Sequence, residues 1–123
     1  MIEVQNIIKS FDGTEIIKGV STVFDKGKTN LIIGQSGSGK TVFLKCLLSL
    51  FIADSGKILF EGKGLKKMSI KERSILRQEM GMVFQGSALF DSMNVEENIM
   101  FPMQMFTQKD DDEIRDRANL VIK

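Results

Sequence analysis

Apolar residues recur along the chain with two different periods, which separates predicted strands from predicted helices. Residues 2–11 alternate loosely between apolar and polar positions, and so do residues 15–24, after a turn at Asp12 and Gly13. Such alternation is typical of half-buried strands, and an Asp-Gly pair between two of them favours a tight hairpin. We expect these segments to form an antiparallel layer at the edge of a sheet.

Two shorter apolar runs predict strands of another kind. Residues 29–33 contain three consecutive aliphatic side chains, and residues 81–85 form a second run that ends on Gln85. Runs that are apolar on both faces are typical of parallel strands buried inside an α/β sheet. A further short strand is predicted at 57–60. The predicted fold class is therefore α/β, with an antiparallel edge layer and part of a parallel core sheet packed with helices.

Helical signals occupy the remaining segments. Residues 40–51 place apolar side chains at helical spacing. Ser69 with Glu72, and Asn94 with Glu97, are pairs that predict capping boxes and hence helices beginning just after residues 69 and 94. We expect the first of these helices to continue to about residue 79 and the second to be stopped by Pro102.

A last helix is predicted to begin at the acidic run 110–112, because negative charge is favourable at a helix N-terminus. Its apolar stripe consists of Ile114, Ala118, Val121 and Ile122. No glycine, asparagine or proline follows to end the helix, so we interpret the sequence as a truncated one.

The composition is that of an ordinary globular domain without a strong charge bias. Of the 123 residues, 42% are hydrophobic and 27% are charged, and the net charge of +1 argues against a nucleic-acid partner. The lone Cys46 cannot form an internal disulfide and is expected in the core, while the lack of histidine removes imidazole bases and most zinc sites. We recognise neither a signal peptide nor a membrane-length apolar run and expect a cytoplasmic location.

The strongest chemical signal follows the predicted strand at 29–33. Residues 34–41 read Gly-Gln-Ser-Gly-Ser-Gly-Lys-Thr and fill every fixed position of the pattern G-x-x-x-x-G-K-[S/T]. Between a strand and a helix, this pattern is that of a phosphate-binding loop, or P-loop. Its glycines allow backbone amides to turn towards phosphate oxygens, and the helix N-terminus adds its dipole.

The loop carries the predicted nucleotide site. We expect Lys40 to reach the β- and γ-phosphates and the Thr41 hydroxyl to bind Mg²⁺, so the expected ligands are a nucleoside triphosphate and Mg²⁺. The nucleotide-binding positions of the motif are Gly34, Ser36, Gly37, Ser38, Gly39, Lys40 and Thr41. The alternative is a glycine-rich turn that ends by chance in Lys-Thr.

With its neighbours, the motif resembles the N-terminal part of the ATP-binding subunit of an ABC transporter. The resemblance covers essentially the whole chain and rests on residues 34–41, 54–58 (Asp-Ser-Gly-Lys-Ile) and 81–85 (Gly-Met-Val-Phe-Gln), in that order. It implies an incomplete P-loop NTPase fold. Residues 1–85 would belong to the nucleotide-binding core, residues 86–123 would form the Q-loop and the start of a helical subdomain, and the C-terminal remainder would be absent.

The resemblance also implies further site residues. Phe11, which stands 29 positions before Lys40, would stack on adenine with Ile16 packed alongside it. Val42 stands where many relatives have a hydroxyl that contacts the α-phosphate, so only its backbone NH is left for that contact. Gln85 would be the Q-loop glutamine and a second ligand of Mg²⁺. The alternatives are that Phe11 is a plain core residue and that Gln85 simply faces water.

Partners follow from the same resemblance. Residues 86–106, which are rich in Phe and Met, would form part of the groove that receives a coupling helix from a membrane-spanning subunit. The alternative is that these side chains form the core of a helical subdomain. The parent protein would be an ATPase that works as a homodimer on the inner face of the cell membrane. Residues 83–99 are similar to the Mla-type transporters of phospholipids.

Three parts that ABC ATPases use for hydrolysis do not occur in this sequence: the Walker B Asp-Glu pair, a Ser-Gly-Gly signature and a switch histidine. We therefore assign no catalytic residue and expect weak nucleotide binding, no significant ATPase activity, and self-association through unpaired sheet edges. Other interpretations are a soluble ABC ATPase of the translation or DNA-repair type, or a nucleotide-binding or interaction module only. A GTPase would need an Asn-Lys-x-Asp motif, which the sequence lacks.

Overall fold

The computed structural model describes residues 1–86 and 88–122, so Ser87, inside the predicted 86–106 segment, and Lys123 lie outside the described residues. The chain forms two compact units that divide between Met80 and Gly81. Within the described ranges, no helix has both the length and the apolar character needed to span a bilayer.

The first unit is built on a four-stranded sheet in which the strand order is β2-β1-β3-β4 and every pairing is antiparallel. Its strands are β1 (Ile2–Phe11), β2 (Thr14–Phe24), β3 (Ser55–Phe60) and β4 (Lys63–Gly64). The β1-β2 hairpin turns at Asp12 and Gly13, which both have positive φ and form the kind of turn that matches the strand twist. The predicted antiparallel layer is confirmed.

Helix α1 (Lys40–Leu47) packs on this sheet and completes the main core. Val4, Ile7 and Ile17 of the hairpin meet the buried face of α1 there. That face carries Phe43, Cys46 and Leu47. Burial raises the pKa of the Cys46 thiol, in keeping with its expected place in the core. The helix ends earlier than predicted, because the chain turns at Ser49, which has a φ of 55°.

The two predicted parallel strands are not strands in the described structure, and both predictions are wrong. At residues 29–33, Leu31 and Ile33 are 82% and 84% exposed, while Ile32 packs against the core. At residues 81–85, Val83 is 97% exposed. A strand forms only where a neighbouring strand accepts and donates its backbone hydrogen bonds. No described strand pairs with either segment, so the described residues form no part of a parallel core sheet.

The capping boxes are confirmed in both units. The Ser69 hydroxyl accepts from the Glu72 NH, the Glu72 carboxylate accepts from the Ser69 NH, and helix α2 (Ile70–Gln78) follows. Asn94 and Glu97 make the same reciprocal pair at the start of helix α3 (Val95–Phe106). Short side-chain signals therefore located both helix starts correctly.

The second unit consists mainly of α3 and helix α4 (Asp111–Ile122), which pack through Met100, Ile114 and Ala118. Pro102 lies inside α3, so the prediction that it ends the helix is wrong. Met100 and Met103, on either side of the proline, both pack in this cluster, and this tertiary packing outweighs the unfavourable helix propensity of proline.

Helix α4 begins at the predicted acidic run, where the Asp110 carboxylate accepts a hydrogen bond from the Glu113 NH at 2.8 Å. Its apolar stripe is only partly as predicted. Ile114 and Ala118 are buried, whereas Val121 and Ile122 are exposed. The N-terminal half of the stripe therefore provides the contact with α3.

Candidate phosphate-binding site

The glycine-rich loop lies at the N-terminus of α1. Gly37 and Gly39 adopt φ angles of 78° and 93°, in the left-handed region that glycine enters without strain. Gly39 is the N-cap residue of α1 and has no side chain to accept a hydrogen bond from the first turn. The amide groups and the positive dipole end of α1 are therefore available to an anionic ligand.

Strand β2 fixes the position of this loop. A Cβ atom at residue 39 would lie 2.9 Å from Cγ2 of Ile16 and 3.2 Å from the Ile16 carbonyl oxygen. Only a residue without a side chain fits so close to the strand. Glycine at position 39 therefore allows both the positive φ angle and the close contact with Ile16. The structure thus brings Ile16 against the loop.

Lys40 reaches back across the loop. Its Nζ donates hydrogen bonds to the carbonyl oxygens of Gly34 at 2.6 Å and Gln35 at 2.8 Å. Within residues 1–86 and 88–122, no carboxylate forms an ion pair with this ammonium group, so its charge is not neutralised by an acidic side chain. A backbone hydrogen bond from Ser38 NH to the Gln35 carbonyl, at 3.2 Å, closes the loop beside it.

Open depressions flank the loop on the side of β2. One, of about 450 Å³, is lined by Ile16, Lys18, Gly37 and Ser38 among others. Another, of about 510 Å³, includes Lys40 in its lining and extends along the exposed segment 30–34. Both volumes are in the range of small-molecule sites. The loop therefore presents its backbone to open space and is not filled by the chain's own side chains.

The two predicted magnesium ligands belong to different units of the chain. Thr41 is exposed in the first turn of α1, so its hydroxyl oxygen, a donor suited to a hard cation, is accessible beside Lys40. Gln85 is exposed and belongs to the second unit, and its pairing with Thr41 on Mg²⁺ stays a prediction. Within the described residues, no group of three or more Asp, Glu, Cys or His side chains is arranged to hold a metal ion. In the loop, Thr41 is the residue whose side chain could hold a hard cation such as Mg²⁺.

Val42 and Ser36 complete the predicted set. The Val42 side chain packs against the core of the first unit, which leaves its backbone as the group that can serve a phosphate. Ser36 is exposed at the tip of the loop. Residues 34–42 thus form the loop and the first turn of α1, and their binding of a nucleotide stays a prediction.

Phe11 lies at the end of β1 and is 39% exposed. Its ring meets the Phe51 ring at a centroid distance of 5.3 Å and an angle of 69°, and the Lys9 ammonium lies over it at 5.1 Å. Sequence reasoning missed both neighbours. The alternation of side chains along a strand places Lys9 and Phe11 on the same face, which was an available signal, whereas nothing local connects Phe51 to them.

Comparison with known proteins decides the family of this chain. The family model described as "ABC transporter" matches residues 17–122. The chain belongs to the ABC transporter family. A probable ribonucleotide transport ATP-binding protein, mkl of Mycobacterium leprae, is 40% identical over 115 residues, which cover 94% of this chain and 33% of that protein. The methionine import ATP-binding protein MetN 1 of Listeria innocua is 37% identical over 120 residues, covering 94% and 36%. This ABC chain therefore spans about a third of the length of these curated relatives.

Solved ABC structures agree with this assignment. The structure of cbiO1 from Clostridium perfringens, part of the transporter complex cbiONQ, has a TM-score of 0.84 and 29% identity, covering 98% of this chain and 48% of that one. The ATP-binding cassette MJ0796, in a dimeric post-hydrolysis state bound to ADP and Pi, has a TM-score of 0.83 at 24% identity, covering 96% and 54%. The α/β P-loop NTPase fold class predicted from the sequence is confirmed.

Proposed function

We propose that this chain is the N-terminal, nucleotide-holding part of the ATP-binding subunit of an ABC transporter and that it binds Mg²⁺-ATP at residues 34–42. The observation that carries the proposal is the Lys40 ammonium group, which is held against the Gly34 and Gln35 carbonyls at the N-terminus of α1. The Lys40 ammonium, the backbone amides of the loop and the positive dipole end of α1 lie together there. A polyphosphate is the ligand that would interact with all three.

Each part of the site has a role in this proposal. The amides of the loop and the first turn of α1 bind phosphate oxygens, Lys40 binds the β- and γ-phosphates, and Phe11 stacks on the purine. Phenylalanine offers a π face without a phenolic hydroxyl, so other purine nucleotides are acceptable ligands as well. Thr41 holds Mg²⁺, which when bound neutralises charge that develops on the phosphates.

The same proposal assigns no hydrolytic step to the 123 residues. The loop, Lys40 and Thr41 bind and orient a nucleotide, but no residue in this set takes a proton from water. In the whole protein, we propose that Gln85 senses the γ-phosphate and that two ATP-binding subunits close over the nucleotides and hydrolyse them. These roles belong to the complete assembly.

The second unit supports a proposed contact with the transporter's membrane subunit. A groove of about 430 Å³ is lined by Leu89, Phe90, Met93, Val95 and Ile99, together with Asp91 and Asn98. The apolar residues of the segment divide into two groups. Met100 and Met103 pack on α4, whereas Leu89 and Phe90 are exposed, so a subdomain core and an apolar docking surface coexist.

For the transported molecule and the location, we propose a phospholipid and the inner face of the cell membrane. The cargo proposal is supported only by the similarity of residues 83–99 to Mla-type transporters. The relatives described above are named for ribonucleotide and methionine transport, so this part of the chain is compatible with different cargoes.

Equilibrium binding of Mg²⁺-ATP, measured by calorimetry together with phosphate release, tests the proposal. We expect the unmodified chain to bind ATP weakly, with no phosphate release above the buffer rate, and Lys40→Met to weaken binding by at least about tenfold. Lys28→Met is the matched control, because Lys28 is an exposed lysine paired with Asp25. Equal affinity in the Lys40 variant would contradict the site, and turnover that Lys40→Met abolishes would contradict the absence of hydrolysis.

The interpretation as a soluble ABC ATPase makes a different prediction for the second unit. A transporter subunit should bind an amphipathic helical peptide at the groove containing Leu89 and Phe90, and Leu89→Asp should abolish this binding. A soluble ATPase or a simple nucleotide-binding module has no need for that contact. Absence of binding to the coupling-helix peptides of ABC membrane subunits would favour those interpretations.

A further inference from the structure

We propose that Lys9 and Phe51 are positioning residues for the base platform Phe11, and that Asp54 holds both of them in place. This inference rests on the proposed function, in which Phe11 stacks on the purine. It adds a second layer of residues that determines how well that ring is oriented before the nucleotide arrives.

Two side chains from distant parts of the sequence contact the Phe11 ring. Lys9, two residues earlier on β1, places its ammonium 5.1 Å from the ring centroid. Phe51, in the segment that follows α1, meets it edge to face at 5.3 Å. The Lys45 ammonium lies 5.3 Å from the centroid of Phe51 and braces that ring in turn. Both contact types have a preferred geometry, so together they restrict the orientation of Phe11.

Asp54 connects the two supports. Its carboxylate accepts hydrogen bonds from Lys9 Nζ at 2.8 Å and from the Ser10 NH at 2.7 Å. Its own NH donates to the Ile8 carbonyl oxygen at 2.9 Å. These bonds fasten the segment that contains Phe51 onto β1, next to Phe11. The Lys9 side chain is only 16% exposed, so the lysine is packed in this contact and does not extend into water.

The charge of Asp54 supports its contact with Lys9. The hydrogen bond from Lys9, followed by that from the Ser10 NH, holds the pKa of Asp54 below its usual range. Asp54 is therefore a carboxylate at neutral pH and Lys9 keeps an anionic partner. The contact with Asp54 therefore keeps the Lys9 ammonium over the Phe11 ring.

The orientation of the ring matters because stacking on a mobile side chain costs part of the conformational entropy of that side chain. Phe11 is next to the hairpin turn and 39% exposed, so ring surface remains for a ligand. If Lys9 and Phe51 already fix the ring, the base stacks on it without that ordering cost, and purine affinity rises. The effect is confined to the base, because neither Lys9 nor Phe51 is among the residues of the phosphate-binding loop.

Comparing Mg²⁺-ATP with Mg²⁺-tripolyphosphate separates positioning from a general structural effect. We expect Lys9→Met and Phe51→Leu each to weaken ATP binding by about threefold to tenfold and to leave tripolyphosphate affinity unchanged. Lys9→Arg should restore ATP affinity, since arginine can still pair with Asp54. The matched control is Lys57→Met, which replaces an exposed lysine on β3.

Phe11→Leu separates a failure of the base platform from a failure of the positioning role. If it leaves the ratio of ATP to tripolyphosphate affinity unchanged, the base platform is wrong and the positioning role falls with it. If Phe11→Leu lowers the ratio but Lys9→Met and Phe51→Leu do not, the positioning role alone is overturned. The positioning role is also overturned if Lys9→Met and Phe51→Leu weaken the binding of ATP and of tripolyphosphate equally. A circular dichroism melt of each variant confirms that the compared proteins are folded.

Discussion

Ile16 and Gly39 approach so closely that a Cβ atom on residue 39 would lie 2.9 Å from Cγ2 of Ile16. Ile16 belongs to the hairpin and Gly39 to the end of the glycine-rich loop, so this contact is where the antiparallel sheet sets the position of the loop. The Ile16 carbonyl oxygen lies 3.2 Å from the same point, and a rotamer change of the isoleucine would not remove that obstacle.

Gly39→Ala should therefore destabilise the first unit more than Gly37→Ala does. Both positions have a left-handed φ, which costs an alanine about 1–2 kcal/mol. Gly37 has open space around it, whereas Gly39 faces β2, and overpacking there adds about 1–3 kcal/mol. Urea unfolding of the two variants measures the difference. Equal free energies of unfolding would show that the loop moves freely away from Ile16.

Glu72 should titrate far below an ordinary glutamate. The hydrogen bond that the Glu72 carboxylate accepts from Lys63, together with those that it accepts from Ser69, lowers its pKa to about 2 from an ordinary value of 4.5. Because the folded-state pKa is the lower one, the unfolded state binds more protons between these values. The contribution of Glu72 to stability is therefore present above about pH 4.5 and is lost as pH falls towards 2.

A carbon-detected NMR titration of the Glu72 carboxyl group checks this directly. Lys63→Met should raise the pKa of Glu72, and Lys71→Met, which changes an exposed lysine on the same helix α2, should leave it unchanged. High salt should weaken the shift, since both partners are largely exposed. A Glu72 pKa near 4.5 in the unmodified chain would contradict the Lys63 contact.

Asn98 should prove to be the residue that fixes the loop before α3. Its side-chain oxygen accepts from the Phe90 NH at 2.8 Å. Its amide nitrogen lies 2.9 to 3.2 Å from the carbonyl oxygens of Phe90, Met93 and Asn94. Asn98→Leu keeps the side-chain volume but removes these bonds, and we expect a loss of about 1–3 kcal/mol in the stability of the loop.

Hydrogen exchange at the Phe90 amide measures that loss. The exchange rate should rise by about tenfold or more in Asn98→Leu. Gln104→Leu, which removes an exposed amide from the same helix, is the control and should leave the rate unchanged. Unaltered exchange in the Asn98 variant would mean that the loop is held by other contacts.

The segment that contains Leu31 and Ile33 should drive self-association of the 123-residue chain. Both side chains are exposed, they alternate with the partly buried Ile32, and β2 has an unpaired edge in the described sheet. An exposed apolar row and a free strand edge are both sites for pairing between copies. Sedimentation velocity should show concentration-dependent association of the unmodified chain and a monomer for Leu31→Lys combined with Ile33→Lys.

Ile70→Lys provides the control for that experiment. Ile70 is exposed to a similar degree but lies on α2 and not in the segment 29–33, so its replacement should not reduce association. A stable monodisperse monomer at all concentrations of the unmodified chain would contradict the expectation of self-association.

The features that the sequence predicted correctly are those encoded within a few neighbouring residues. Asp12 and Gly13 define the hairpin turn, and Ser69 with Glu72 defines a helix start through contacts three positions apart. The glycine-rich loop is also encoded locally, because its glycines and Lys40 lie within one stretch of eight residues, and its role in nucleotide binding stays a prediction.

The features that it missed depend on contacts between distant residues. Residues 29–33 have the composition of a buried strand, but strand formation needs a partner that the described residues do not supply. Pro102 remains helical because of packing on α4, and Phe51 reaches Phe11 because Asp54 fastens its segment to β1. None of these can be deduced from periodicity alone.

The central claim is that residues 34–42 and Phe11 form the nucleotide site, and amide and aromatic NMR shifts during an Mg²⁺-ATP titration test it most directly. We expect the largest shifts at the amides of Gly37, Gly39, Lys40 and Thr41 and at the ring of Phe11, all following one binding curve that is absent in Lys40→Met. Shifts centred elsewhere, or a binding curve that Lys40→Met leaves unchanged, would contradict it.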